Sequence, residues 1–211
     1  MAASGWLAVV GVCALAAMVP GPSLAVVLRH ALTSGRAAGL AAAWSHAAGI
    51  GLYALATVTG LAVWLRQYPA TERLITLAGA VYLVWLGVRS LSQARRAAAP
   101  AFGAAPPSQV GVASAMRDGL LIALTNPKVA GFFLALFAPF TGAASGHAPM
   151  FGLVAIPVAV DGLWYSLIAG LATQPSSLAW LRTRAAFMQA ATGVVLLGFA
   201  LLAVGRVVSG S

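Results

Sequence analysis

Charge is the scarcest property of this chain. The acidic residues are Glu72, Asp118 and Asp161, and lysine occurs once, as Lys128. Charged side chains make up 7% of the 211 residues and hydrophobic ones 61%, whereas a globular domain carries about 25% charged residues. Such a chain cannot cover a folded core with polar surface, which excludes a soluble enzyme. Cysteine is also down to one, Cys13, so no intrachain disulfide can form and no redox function follows from it. The three histidines, at 30, 46 and 147, are far apart, and neither an HExxH pattern nor paired catalytic carboxylates occur. No metal and no other cofactor is expected.

What charge there is lies almost entirely on eleven arginines. A net charge of +9 raises the question of nucleic acid, but the arginines fall singly or in pairs at the ends of apolar runs, not on one aromatic-interleaved face. Nucleic acid is therefore not an expected partner; a lipid bilayer is. Six apolar stretches emerge at about 5–28, 37–65, 70–88, 118–140, 149–172 and 185–205. Most reach the roughly 20 residues that a helix needs to cross a bilayer. Continuous runs favour helices over barrel strands, which alternate. The first run lacks a basic leader region and continues to Leu28, so a retained helix is expected rather than a signal peptide.

The stretch from about 95 to 110 differs from the rest, with Arg95-Arg96, an alanine run, Pro100, Pro106 and Pro107. It reads as a cytoplasmic linker between two three-helix halves. An odd helix count would give the halves opposite orientation, as in many secondary transporters. The expected fold is an all-α membrane protein, a single transporter domain over 1–211 with six transmembrane helices, of which the first and fourth are broken. With both termini outside, the inner loops hold Arg29, Arg36, Arg89, Arg95, Arg96, Arg117, Arg182 and Arg184, against Arg66, Arg73 and Arg206 outside. Trp6, Trp64 and Tyr68 would mark the outer interface and Trp180 the inner one.

Two breaks and two charges carry the chemistry. Pro20-Gly21-Pro22 removes backbone donors two-thirds of the way through the first helix, so the chain should kink or unwind there and restart near Pro22, just before Ser23. Asn126-Pro127 supplies an N-cap and a residue suited to the first helical position, so a half-helix should start there. Its free N–H groups, at Lys128 and beyond, the helix dipole and the Lys128 ammonium together make a place for a carboxylate. Alternatively, Lys128 snorkels to the inner interface. Asp161 follows Pro157 by four residues, with Trp164 and Tyr165 continuing its face; it can bind a substrate ammonium, carry a proton or simply pair with Lys128. His46, mid-way along the second run, is a proton relay or a hydrogen-bonded core residue. Gly35-x-x-x-Gly39, Gly49 and Gly51 offer a small-residue surface for close helix packing. Asp118 and Glu72, beside Arg117 and Arg73, are most simply surface charges.

These residues resemble the LysE/RhtB family of bacterial amino-acid exporters. The likeness lies in Pro20-Gly21-Pro22; Gly35-Arg36 through Gly39; Gly60-Leu61; the run Gly79 to Gly87; Arg117-Asp118-Gly119; Thr125-Asn126-Pro127-Lys128; Phe132-Phe133 and Phe140; Asp161; and Gly193. The resemblance runs nearly end to end. It implies a six-helix inner-membrane efflux protein, dimeric and driven by the proton gradient, exporting small amino acids or close derivatives. The chain departs from the family pattern at Ser45, where glycine is usual, at Tyr53, where histidine is frequent, and at Ala138-Pro139-Phe140.

The expected mechanism is alternating access around a site formed by Pro20, Gly21, Pro22, Ser23, Asn126, Pro127, Lys128 and Asp161, with Asp161 and His46 handling the proton. One intramembrane acid and one intramembrane base match a neutral zwitterion better than a dibasic substrate. The rivals are an intramembrane enzyme, for which the sequence offers no nucleophile–base pair, and a channel-like or structural bundle.

Overall fold

The computed structural model describes residues 3–61, 67–68, 71–95, 111–133, 147–172 and 175–209. Every regular element among them is helical. In chain order these are α1 (Ala3–Met18), α2 (Pro22–Ser34), α3 (Arg36–Ala56) with a π-helical extension over Thr57–Leu61, α4 (Thr71–Arg95), α5 (Val112–Thr125), α6 (Pro127–Phe132), α7 (His147–Ala172) and α8 (Pro175–Ser209). The linker from 96 to 110, Trp64, Arg66 and Ala138-Pro139-Phe140 lie outside the described residues. So do the side chains of Glu72, Trp180, Arg182 and Arg206.

Proline chemistry sets the two interruptions. α1 stops at Met18, α2 starts at Pro22, and the two axes are bent by 63°. The second break has one residue, Asn126, between α5 and α6. Its backbone is extended, at φ −77° and ψ 112°, the conformation that the ring of a following proline favours. Pro157 does not break α7; it sits within the helix. α4 and α8 run beyond the apolar stretches from which they were expected, α8 by ten residues at its start.

Of the described helices, Pro149–Ala172 is long and apolar enough to cross a membrane unaided, and α1 with α2 passes as a bent pair. The outward surface is apolar, with Leu7, Val81, Phe151 and Leu201 each at least 70% exposed. Such a surface suits lipid and not water.

α3 lies at the centre, packed against α2, α5 and α7; α4 lies along α8; α6 bridges α3, α4 and α5. Small residues set these distances. A methyl group on Gly49 would meet Ala123, one on Gly39 would meet Ala31 and Ala169, and one on Gly119 would meet the Ala42 carbonyl and Ser45. Gly87 and Gly193 face each other's carbonyls across α4 and α8, beside a hydrogen bond of 2.7 Å from Ser90 Oγ to the Gln189 carbonyl. Gly39, Gly49 and, against Val158, Gly51 thus pack within the chain. Gly35 acts through its backbone instead. As the one residue between α2 and α3, it takes φ 85° and ψ 176°, a conformation open essentially to glycine alone.

Candidate functional site

The two breaks and α7 meet at one cavity of about 50 Å³ inside the bundle. Its wall includes Val19 and Ser23 from the first break, Lys128 from the second, His46 from α3, and Pro157, Asp161 and Tyr165 from α7. The fourth-residue spacing of Pro157, Asp161 and Tyr165 puts all three on the wall, as a helical face requires. Trp164 turns away and packs with the second core cluster, around Leu24, Val27 and Tyr165. The wall includes no atom of Trp164.

A chain of hydrogen bonds ties the breaks together. His46 Nδ1 lies 2.7 Å from Asp161 Oδ2, and His46 Nε2 lies 2.9 Å from Ser23 Oγ. Asn126 Nδ2 donates to Ser23 Oγ at 3.0 Å, and the Lys128 backbone N–H donates to Asn126 Oδ1 at 3.0 Å. The donors settle one direction. A carboxylate only accepts, so with neutral His46 the ring proton sits on Nδ1; Nε2 then accepts from the Ser23 hydroxyl, which accepts from Asn126. His46, Ser23 and Asp161 are all buried. Tyr165 meets the His46 ring edge-on at 5.1 Å.

Lys128 does not snorkel. Its Nζ turns inward and donates to the Ala16 and Val19 carbonyls, both at 3.3 Å, at the end of α1. These are carbonyls that a helix end leaves without intrahelical partners, and an ammonium there also meets the negative end of the helix dipole. Lys128 and Asp161 share the cavity but form no ion pair with each other; the partner of Asp161 is His46.

The helix starts differ from expectation in a way that matters for an anion. At α6 the N–H of Lys128 goes to Asn126 Oδ1, and those of Val129 and Ala130 go to the Asn126 carbonyl. Those donors are satisfied internally. At α2 no side chain caps the start, so the first N–H groups remain open there. The Lys128 ammonium is beside this end: a Cβ on Gly21 would lie 3.8 Å from Nζ. Positive character therefore gathers at Gly21–Ser23 and Lys128, with Asp161 on the opposite helix.

Sequence reasoning placed Lys128 and Asp161 in view but did not find the pairing of Ser23 with His46. The sequence offered no nucleophile–base pair, yet the structure puts a hydroxyl, an imidazole and a carboxylate in line. A second cluster was also missed. Asp118 is no simple surface charge: it accepts from Arg29 Nη2 at 2.6 Å and from Arg117 at 3.3 Å, and lies 3.1 Å from Nε2 of the fully buried His30. Tyr53, one of the departures from the family pattern, donates to the Leu124 carbonyl at 2.9 Å and stacks on Phe133 at 5.9 Å, so it braces the second break from outside the cavity wall. Ser45, the other, bonds the Ala42 carbonyl at 3.1 Å. No group of histidine, cysteine or acidic residues among those described could hold a metal ion.

Several known proteins of similar sequence are named as efflux proteins, and others as membrane proteins. The chain is 27% identical over 197 residues to the threonine efflux protein of Escherichia coli strain K12, covering 92% of this chain and 94% of the relative. It is 31% identical over 137 residues to the leucine efflux protein of Enterobacter sp. strain 638, covering 64% and 62%. A further relative, 33% identical over 190 residues with 87% and 89% covered, is the chemotactic transduction protein ChpE of Pseudomonas aeruginosa. No solved structure matches. The helical bundle, the apolar exterior and a match over residues 14–205 to the family described as LysE type translocator together show that this chain belongs to that family of membrane translocators.

Proposed function

We propose that the protein exports small neutral amino acids across the bacterial inner membrane by proton antiport and alternating access. In this reading the chain crosses the membrane six times with both termini outside. The substrate carboxylate is held by Lys128 and the open start of α2, and its ammonium by Asp161. The observation that carries the reading is the chain Asp161–His46–Ser23–Asn126, which joins a titratable pair to both helix breaks. A proton added to this pair that leaves His46 Nε2 protonated makes Nε2 a donor. The Ser23 hydroxyl must then redirect its own proton while still accepting from Asn126, and the first break feels the proton's arrival. Substrate ammonium and proton then compete for one carboxylate, which is the requirement for exchange. Relatives named for threonine and leucine efflux support a neutral amino acid as cargo.

Overexpression should protect cells against toxic levels of neutral amino acids and not against a lysine analogue. A dibasic substrate would bring a second cation into a site with one buried carboxylate, at a desolvation cost of several kcal/mol. Protection against the lysine analogue alone would overturn the charge match while leaving export in place.

One observation favours a second reading, an acyl-transfer enzyme. Ser23, His46 and Asp161 have the order and spacing of a nucleophile, its base and the carboxylate that orients the base. Against it, Ser23 is buried and already accepts from Asn126. Covalent capture of Ser23 by a fluorophosphonate would establish the enzyme reading; an unlabelled serine in transport-competent protein would remove it.

A further inference from the structure

Most polar atoms of the cavity are engaged, and the charged positions that remain open match an amino-acid head group. Lys128 Nζ has three N–H donors and gives two to the Ala16 and Val19 carbonyls. One is left for a carboxylate. Asp161 uses Oδ2 for His46, which leaves Oδ1 for an ammonium. Both nitrogens of His46 are occupied, and Ser23 Oγ serves His46 and Asn126 together. The Tyr165 ring lies edge-on to His46. The carbonyl released by Pro157 is that of Leu153, which is not part of the wall.

Apart from the Cys13 thiol, a weak donor, the rest of the wall is largely hydrocarbon. Ile50 from α3, Leu83 from α4, Val129, Phe132 and Phe133 from the α6 region and Leu196 from α8 all belong to one buried apolar cluster. A substrate side chain extending from a head group held at Lys128 and Asp161 meets these residues. They offer it neither donor nor acceptor.

We infer that the protein selects amino acids with aliphatic side chains, of the valine, leucine and methionine class, over hydroxy amino acids such as threonine and homoserine. The inference rests on the export reading above. Valine and threonine isolate the point, since they share a shape and differ by a hydroxyl. That hydroxyl loses its water on entry and finds no partner among these hydrocarbon side chains. An apolar pocket rejects such an isostere by a limited factor, on the order of 10- to 100-fold. Size adds a bound, because a cavity of about 50 Å³ suits a small ligand.

The test is the ratio of kcat/KM for valine and threonine, measured with the purified full chain in proteoliposomes. A ratio of about 10 or more is expected. Val129→Thr, which adds a hydroxyl to the wall at nearly constant volume, should shrink that ratio. A wild-type ratio below about 10 overturns the inference while export stands. An unchanged ratio in folded Val129→Thr overturns the assignment of selectivity to this wall. Transport of neither amino acid, nor of leucine, methionine or homoserine, overturns the export reading itself, and selectivity falls with it.

Discussion

Lys128 binds the end of α1 and Asp161 binds His46, so each charge has its own hydrogen-bond partner. Lys128→Met and Asp161→Asn should each abolish transport while the protein stays in the membrane, and the double variant should not recover it. Recovery in the double variant would mean that the two charges act as a structural pair. Lys128→Arg should also impair transport by about tenfold or more, because a planar guanidinium cannot place one compact donor between the Ala16 and Val19 carbonyls and a substrate. Full activity of Lys128→Arg would return Lys128 to the role of a snorkelling cation. The two charges were legible in the sequence because ions in apolar runs are costly and therefore rare. His46 was ambiguous there, since a lone imidazole carries no periodic signal. Ser23 had no signal beyond its place after Pro22; its partners lie 23 and 103 residues away.

At the scale of elements, the contacts around the site are set by residues too small to announce themselves. Gly131 in α6 lies against the ring of Tyr82 in α4, where any β-carbon would overlap the ring. Gly131→Ala should therefore destabilise the protein by about 1–3 kcal/mol or more, and Tyr82→Ala in the same chain should restore much of the loss. Thermal unfolding in detergent reads both effects, and a Gly131→Ala protein as stable as the parent would contradict the packing. Asp118 joins α2 to α5, the two helices that lead into the breaks. Asp118→Ala leaves the buried His30 without its acceptor, at about 1–3 kcal/mol, whereas Asp118→Asn keeps an acceptor and should lose less. Equal losses would show that charge, and not the hydrogen bond, holds α2 to α5. The breaks themselves were readable from Pro20-Gly21-Pro22 and Asn126-Pro127, because proline acts through local sterics. The Arg29–His30–Asp118 cluster spans 89 residues and was not.

For the whole molecule, the helical class followed from continuous apolar runs, and the resemblance carried most of the chain. The way α3 becomes the central helix could not be read, because its alanines and glycines pack by shape and leave no distinct pattern. Orientation rests on eight inner arginines against three outer ones. A single cysteine at Ser4 or Ser209 in a Cys13→Ala background should be labelled by an impermeant thiol reagent from the periplasmic side; labelling of both only after the membrane is opened would reverse the topology. The central claim is that a proton and a neutral amino acid exchange at Asp161. Its most direct test is accumulation of labelled valine by inside-out membrane vesicles under an imposed pH gradient, acid inside, with wild-type and Asp161→Asn protein at equal abundance. The account predicts accumulation by wild type that collapses with a protonophore and is absent from Asp161→Asn; undiminished gradient-driven accumulation by Asp161→Asn would contradict it.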